Sequence, residues 1–200
     1  MHKSVHPEPP ADLHTRALPL VHDQRPWYRL HDCRYAPSYF GRSGKNRFDA
    51  PDGPAGVYGV LYMGADAHGA FVETYGNATG VSVVSLSVVR DACLARIEAA
   101  RPLVLVDLTG AGLAHIGADG RLCAGDRDPL WHRWAVALWA HPDQPDGLLY
   151  PARHDLSRHS VALFDRVSAV LTAHPQGRLT DLSNATLLGD ILDTYRFGIV

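Results

Sequence analysis

The feature that most constrains the fold is a turn followed at once by a strand and a helix, within residues 46–76. Residues 50–56 contain two prolines and two glycines, a composition that excludes a helix and favours a tight turn. Residues 57–62 are a β-branched and aromatic run without strict alternation, which is typical of a strand buried on both faces. The side chain of Asp66 can accept a hydrogen bond from the free backbone N–H groups of the turn that follows it, so a helix of about nine residues is predicted to begin there.

Charged side chains stand on both sides of this predicted strand. Arg47 precedes the turn, and Glu73 lies in the predicted helix at the border between its apolar face and water. Each is either a solvated surface residue or a ligand-binding group, and the residues alone leave both interpretations open.

The length and the charge of the chain limit its class. Two hundred residues are enough for one well-packed domain and leave little room for a second core. The net charge of −2 gives no electrostatic reason to expect nucleic acid or an anionic membrane as a partner. An anionic ligand would therefore have to be held by arginines placed locally.

The three cysteines, Cys33, Cys93 and Cys123, contain no C-x-x-C pair. An odd number at wide spacing favours buried thiols in a reducing compartment over a disulfide framework. The N-terminal residues lack the apolar core of a signal peptide, and no run reaches the roughly 18 apolar residues of a membrane span. We therefore expect a cytoplasmic protein.

The first part of the chain predicts an arm and a strand. Residues 1–24 are rich in histidine, proline and charge, which predicts a loosely ordered N-terminal arm before a domain of residues 25–200. Residues 27–31 form an aromatic strand with Arg29 inside it, either an edge residue or a ligand group facing a cleft. Residues 41–46 lack the spacing of a nucleotide-triphosphate loop, and no G-x-G-x-x-G follows a strand, so neither nucleotide-binding loop is predicted.

The remaining segments predict a mixed fold. Many short strands with a few helices that do not strictly alternate indicate a single α+β domain, a mixed central sheet with flanking helices. Trp131 and Trp134 are assigned to the core rather than to a binding platform. The predicted strands are residues 81–89, 103–108 and 161–164, and residues 146–155 are predicted to form a turn, a strand and an exit loop. The predicted helices are residues 187–195 and a segment from Asp126 or Asp128 to His141, and residues 92–100 are either a helix or a strand.

The order of motifs resembles the RES domain over residues 27–164. The pattern consists of Trp-x-Arg in a strand, Arg-Phe before a Pro/Gly turn, Leu-Tyr-Met-Gly-Ala-Asp, a glutamate eleven residues after that tyrosine, Leu-Val-Asp-Leu-Thr-Gly, Asp-Gly-Leu-Leu-Tyr-Pro-Ala-Arg-His-Asp and Val-Ala-Leu-Phe. No single motif is diagnostic, and the resemblance lies in their order and spacing.

The resemblance implies a fold, an activity and a partner. RES domains are similar in fold to ADP-ribosyltransferases and diphtheria-toxin-like domains, with a dinucleotide in a central cleft. The family includes toxins of bacterial toxin–antitoxin pairs that cleave the nicotinamide–ribose bond of NAD⁺, with phosphate or water as the acceptor. NAD⁺ is thus the implied substrate and inorganic phosphate the implied co-substrate, without a further cofactor. The usual partner is an antitoxin with an Xre-type helix-turn-helix that blocks the pocket, in a complex that can hold a toxin homo-oligomer.

The resemblance also implies a set of catalytic residues. The first-strand arginine matches Arg29, the strand tyrosine matches Tyr62 and the helix glutamate matches Glu73. A carboxylate beside the ribose would stabilise the oxocarbenium-like charge that develops when the glycosidic bond breaks. Tyr62 would stack on a flat ring while its hydroxyl orients a polar group. Arg29 and Arg47 would bind the pyrophosphate in bidentate fashion.

One position departs from the family pattern. The family serine falls on Ala152, in the segment that ends with Arg153, which would be a cation for an acceptor phosphate. The chain lacks that hydroxyl, although Ser157 and Ser160 are nearby in sequence. One alternative is a protein ADP-ribosyltransferase. Another alternative, which the missing serine supports, is a module that has lost activity and only binds a dinucleotide or an antitoxin. The scattered histidines do not favour a metal site.

Overall fold

The computed structural model of the chain describes residues 7–76, 82–124 and 129–200. A large mixed sheet with flanking helices dominates it, which confirms the predicted fold class. The strands are β1 (Leu20–Asp23), β2 (Trp27–Asp32), β3 (Val60–Gly64), β4 (Val83–Val84), β5 (Ala92–Ala99), β6 (Leu103–Asp107), β7 (Gly147–Pro151), β8 (His159–Phe164), β9 (Leu171–Arg178) and β10 (Gly198–Ile199). The helices are α1 (Ala67–Tyr75), α2 (Leu86–Arg90), α3 (Gly112–Ile116), α4 (Arg121–Ala124), α5 (Leu130–Trp139) and α6 (Ala185–Tyr195).

Eight of these strands form the large sheet, in the order β1-β6-β7-β8-β3-β2-β5-β9. The β6–β7 pair is parallel and the other pairs are antiparallel. Alternate residues of β3 divide between two cores, because Val60 belongs to the cluster that contains α5, whereas Leu61 and Met63 belong to the cluster on the other face. β4 and β10 pair separately, in parallel.

The predicted order of turn, strand and helix is confirmed, although β3 begins at Val60 rather than at residue 57 and the turn contains a single 3-10 turn over Gly53–Ala55. Asp66 precedes α1, and its side chain accepts a hydrogen bond of 2.8 Å from the Gly69 N–H. α1 lies directly on β3, since a Cβ added at Gly64 would be 2.5 Å from the Ala70 nitrogen. The absence of a side chain at Gly64 thus lets the helix approach the sheet.

Residues 7–24 differ from the loosely ordered arm that the composition predicted. Leu13 and Leu18 are buried in the main core, and β1 pairs with β6 at the edge of the large sheet. The Trp134 indole N–H also donates to the Pro7 carbonyl oxygen at 2.9 Å. A few apolar residues are enough to fix the segment here because each fits into the domain core; residues 1–6 lie outside the described residues.

Three further segments refine the sequence-based assignment. The strand predicted over residues 81–89 is reduced to the two residues of β4, and the prediction is wrong for residues 86–89, which belong to α2. Residues 92–99 form a strand, β5, rather than a helix. β9 was not predicted, since it is a largely exposed edge strand that contains Pro175 and Gly177. α5 is confirmed, while its proposed caps, Asp126 and Asp128, lie outside the described residues.

The prediction of three thiols is wrong for two cysteines. Cys33 and Cys93 form a disulfide, with their Cα atoms 5.0 Å apart. The β2–β5 register sets His31 opposite Cys93, which brings Cys33, just beyond the end of β2, close to it. Cys123 is a buried free thiol, as expected. The cysteine argument for a reducing compartment therefore no longer holds.

None of the helices in the described part of the chain is long and apolar enough to cross a membrane.

Candidate active site

A cavity of about 440 Å³ opens where β2 and β3 separate. These strands share one paired position, Tyr28 with Gly64. Beyond this position the two strands do not pair with each other. Residues 29–30 on β2 and residues 62–63 on β3 line the cavity between them. The rest of the described wall comes from the 45–47 loop, α1, α4, α5 and the β7–β8 region: Lys45, Asn46, Arg47, Ala70, Glu73, Thr74, Cys123, Trp131, Tyr150, Arg153 and Ser160.

Glu73 presents a carboxylate to this cavity from the second turn of α1. The side chain is partly buried, in agreement with its predicted place at the border of the helix. Its Oε1 accepts a hydrogen bond of 2.6 Å from the Arg153 backbone N–H, 80 residues away in sequence. This bond joins α1 to the segment after β7 and fixes the carboxylate at the cavity wall.

Arg29 is held by the backbone of the loop that follows β2. Its Nη1 donates to the carbonyl oxygens of Pro37 at 2.7 Å and Tyr39 at 2.8 Å. Burial lowers the pKa of the guanidinium to about 10. Among the described residues, no carboxylate lies within ion-pair distance of Arg29. A partly buried arginine cation of this kind favours an anionic ligand.

Arg47 lies across the cavity on the face of an aromatic ring. Its guanidinium carbon is 3.8 Å from the centre of the Trp131 ring, and Nη1 donates to the Leu122 carbonyl oxygen at 3.1 Å. Burial is the main cause that lowers the pKa of Arg47. Trp131, assigned to the core from sequence, is both a core residue and part of the cavity wall.

The hydroxyl of Tyr62 makes two hydrogen bonds within the protein. It donates to Asp49 Oδ1 at 3.0 Å and accepts from the Phe48 N–H at 2.9 Å. Burial, and to a smaller extent the charge of Asp49, raises the pKa of Tyr62 well above its ordinary value. The ring remains in the cavity wall, so stacking is available to Tyr62 while its hydroxyl is already bonded.

Asp49 was not predicted, although it organises the loop that carries Arg47. The residue is fully buried, and Oδ2 accepts from Ser43 Oγ, from the Lys45 and Asn46 N–H groups and from Asn46 Nδ2, over 2.8–3.2 Å. With the Tyr62 hydroxyl, five donors converge on one carboxylate. Asp49 thus fixes the wall segment of residues 45–47.

Basic side chains dominate the cavity. Among the described wall residues, Arg29, Lys45, Arg47 and Arg153 are basic and Glu73 alone is acidic. This excess of positive charge favours a ligand with more than one negative charge. The described part of the chain contains no group of three or more His, Cys, Asp or Glu side chains that could hold a metal ion.

Comparison with known proteins identifies the family. The family model described as the RES domain matches residues 26–183 of the chain. The chain belongs to the RES family.

This RES chain is similar in sequence to one named protein and in fold to one solved structure. A protein of Sinorhizobium fredii (strain NBRC 101917 / NGR234), named probable toxin y4kH, is 28% identical over 117 residues, which are 58% of this chain and 90% of the relative. A chain in the structure of the M. tuberculosis MbcT-MbcA toxin-antitoxin complex is 16% identical, with a TM-score of 0.67, over 91% of this chain and 97% of that one. At this identity the second likeness concerns the fold.

Five of the six residues that the RES resemblance pointed to meet at this cavity, and Ala152 does not. Ala152 is fully buried, and its N–H donates to the Arg158 carbonyl oxygen at 2.9 Å. Its neighbour Arg153 is exposed at the rim. The residues that meet in the wall are Arg29, Arg47, Tyr62, Glu73 and Arg153.

Sequence reasoning missed further wall residues for identifiable reasons. Lys45 and Asn46 were not considered further once residues 41–46 had been rejected as a nucleotide-triphosphate loop. A basic and an amide side chain shortly before a buried strand could still have indicated a binding loop. Ser160, named from sequence as a serine near the missing family serine, does line the cavity, and its neighbour Tyr150 was missed because only the register of the sheet brings the two together. Ser157, the other nearby serine, donates to Asp155 and is not in the wall.

Proposed function

We propose that this RES protein is a toxin that breaks down NAD⁺ by cleaving the bond between nicotinamide and ribose. The observation that carries the proposal is the cavity in which one carboxylate, Glu73, faces a set of basic side chains and aromatic rings. NAD⁺ has the matching parts, since its pyrophosphate is anionic and its nicotinamide and adenine rings are flat.

The cavity residues have chemically distinct tasks in this reaction. Nicotinamide leaves as a neutral base, so the step needs stabilisation of the positive ribose more than a strong acid. Glu73 supplies a negative charge next to that ribose. Arg29 and Arg47 neutralise the pyrophosphate, and the Tyr62 ring stacks on one of the bases.

The acceptor in this reaction is phosphate or water. Arg153 is exposed at the rim beside Glu73, where a cation would hold an incoming phosphate near the ribose carbon. Lys45, also exposed in the wall, adds a second positive charge. With phosphate the products are nicotinamide and a phosphorylated ADP-ribose; with water the second product is ADP-ribose.

The toxin role and the partner are part of the same proposal. The support is the name of the S. fredii relative and the fold shared with a chain of the M. tuberculosis toxin-antitoxin complex. We place the protein in the cytoplasm, where NAD⁺ is consumed, with an Xre-type helix-turn-helix antitoxin that covers the cavity and with toxin copies assembled in that complex.

Expression of the protein alone in a bacterium should lower cellular NAD⁺ and stop growth. The measurement is the NAD⁺ content of the culture by mass spectrometry, followed together with optical density, with an empty vector as the control. Growth arrest at an unchanged NAD⁺ content would contradict the proposed chemistry and leave the toxin role in place. Unchanged growth and unchanged NAD⁺ would contradict both.

Ala152→Ser tests whether the missing family serine has impaired this chain. Because Ala152 is buried outside the cavity wall, we expect the rate of NAD⁺ cleavage to stay the same, while the buried hydroxyl lowers the free energy of unfolding by about 1–2 kcal/mol. Ala135→Ser, at a fully buried position on α5, is the matched control with a similar cost. A large gain in activity from Ala152→Ser would instead support the impaired binding module.

A further inference from the structure

A row of residues crosses four strands at the floor of the cavity. The register aligns Tyr150 on β7 with Ser160 on β8, Ser160 with Gly64 on β3, and Gly64 with Tyr28 on β2. All four residues line the cavity. Residues aligned across a sheet point to the same face, so the side chains of Tyr150 and Ser160 are neighbours there.

The hydroxyl of Ser160 is buried without a hydrogen bond. The residue is 1% exposed, and among the described residues its Oγ has no partner. An unbonded hydroxyl in a protein interior lowers stability, so its presence at a cavity floor indicates a partner that comes from outside the chain.

The hydroxyl of Tyr150 lies next to that of Ser160 at the floor. The Tyr150 ring packs edge-on against Phe48, with the ring centres 5.1 Å apart. Its hydroxyl lies close enough to Ser160 for the serine to lower the pKa of the phenol slightly. Burial raises the pKa of Tyr150 well above its ordinary value, so this phenol stays protonated and able to donate.

The polarity of the floor limits what can bind there. The four floor residues carry no charge, and Tyr150 and Ser160 are buried. A group that binds at the floor therefore loses its water, which costs a carboxylate more than a neutral amide. The basic residues that favour anions lie at other parts of the wall and at the rim.

We propose that the Tyr150 and Ser160 hydroxyls bind the carboxamide of the nicotinamide ring and select NAD⁺ over its deamido analogue, nicotinic acid adenine dinucleotide. One hydroxyl donates to the amide oxygen and the other accepts from the amide N–H. Both dinucleotides carry the same cationic ring, so the discrimination comes from its substituent: the neutral carboxamide finds a donor and an acceptor at the floor, whereas the carboxylate of the deamido analogue loses its water without a cation from the floor residues. This inference rests on the function proposed above.

The test compares kcat/KM for NAD⁺ and for the deamido analogue in the wild type, Tyr150→Phe and Ser160→Ala. We expect the wild type to prefer NAD⁺ by at least about tenfold, and each variant to lose about tenfold in kcat/KM for NAD⁺ with a much smaller loss for the analogue. Tyr35→Phe, at an exposed tyrosine, and Ser157→Ala are the matched controls and should keep the wild-type preference. Ser160→Ala should melt at or above the wild-type temperature, because it removes an unbonded buried hydroxyl.

Variants that keep the wild-type preference would overturn the inference, as would equal losses for both substrates accompanied by a lower melting temperature. If the wild type cleaves neither dinucleotide, the proposed function fails and binding of free nicotinamide and nicotinate is measured by calorimetry. Selective binding of nicotinamide that is lost in Tyr150→Phe and Ser160→Ala would then support the subsite, and its absence would overturn the subsite as well.

Discussion

Glu73→Gln should abolish cleavage of NAD⁺ while the protein keeps its fold. The glutamine side-chain oxygen can still accept the hydrogen bond that the Arg153 N–H donates at 2.6 Å, so the contact between α1 and the segment after β7 is kept. The negative charge beside the ribose is lost, and we expect kcat to fall by about 10²–10³-fold or more. The measurement is nicotinamide release by the purified variant, with its melting temperature recorded alongside.

Glu98→Gln is the matched control for this substitution. Glu98 lies on β5, where it pairs with Arg96 and His174, and it is not in the cavity wall. We expect wild-type activity from this variant. A Glu73→Gln protein that releases nicotinamide at a rate close to the wild type would show that the carboxylate does not stabilise the developing charge.

Asp49→Ala should destabilise the protein and weaken substrate binding together. Five donors converge on this buried carboxylate, and most would be left without an acceptor. We expect the free energy of unfolding to fall by about 3 kcal/mol. Because the same bonds hold the loop that carries Lys45 and Arg47, KM for NAD⁺ should rise in the protein that remains folded. Urea unfolding and steady-state kinetics measure the two effects.

Two further variants separate the position of the loop from the charge of Asp49. Asp49→Asn keeps one acceptor oxygen and should cost clearly less stability than alanine. Asp193→Ala, at an exposed position on α6, should change neither the unfolding curve nor KM. An Asp49→Ala protein with wild-type stability and KM would contradict the role of this carboxylate in fixing the cavity wall.

The sequence predicted those elements whose local signals agree with their tertiary setting. Asp66 is a good N-cap, the apolar spacing after it fits a helix, and α1 begins at the next residue. β2 begins with two aromatic residues, β3 is apolar in four of its five residues when Tyr62 is counted, and both strands lie inside the sheet. Edge strands carry a weaker signal, which is why β9 was missed and β1 was assigned to a loosely ordered arm.

The sequence predicted those site residues whose positions in the family pattern can be recognised one at a time. Arg29, Arg47 and Glu73 were placed from their positions in the family pattern, and the cavity contains all three. The pairing of Cys33 with Cys93 could not be predicted from spacing, because it depends on the β2–β5 register. The proximity of the Tyr150 and Ser160 hydroxyls likewise depends on the β7–β8 register. Asp49 was missed although most of its donors are within six residues, because its burial, which makes it an acceptor, is visible only in the fold.

The most direct test of the account is the identity of the products that the purified protein forms from NAD⁺, with and without inorganic phosphate, determined by mass spectrometry. The account predicts nicotinamide in both reactions, accompanied by a phosphorylated ADP-ribose or by ADP-ribose according to the acceptor. If the folded wild-type protein leaves NAD⁺ intact under both conditions, the result contradicts the central claim that this cavity cleaves the nicotinamide–ribose bond.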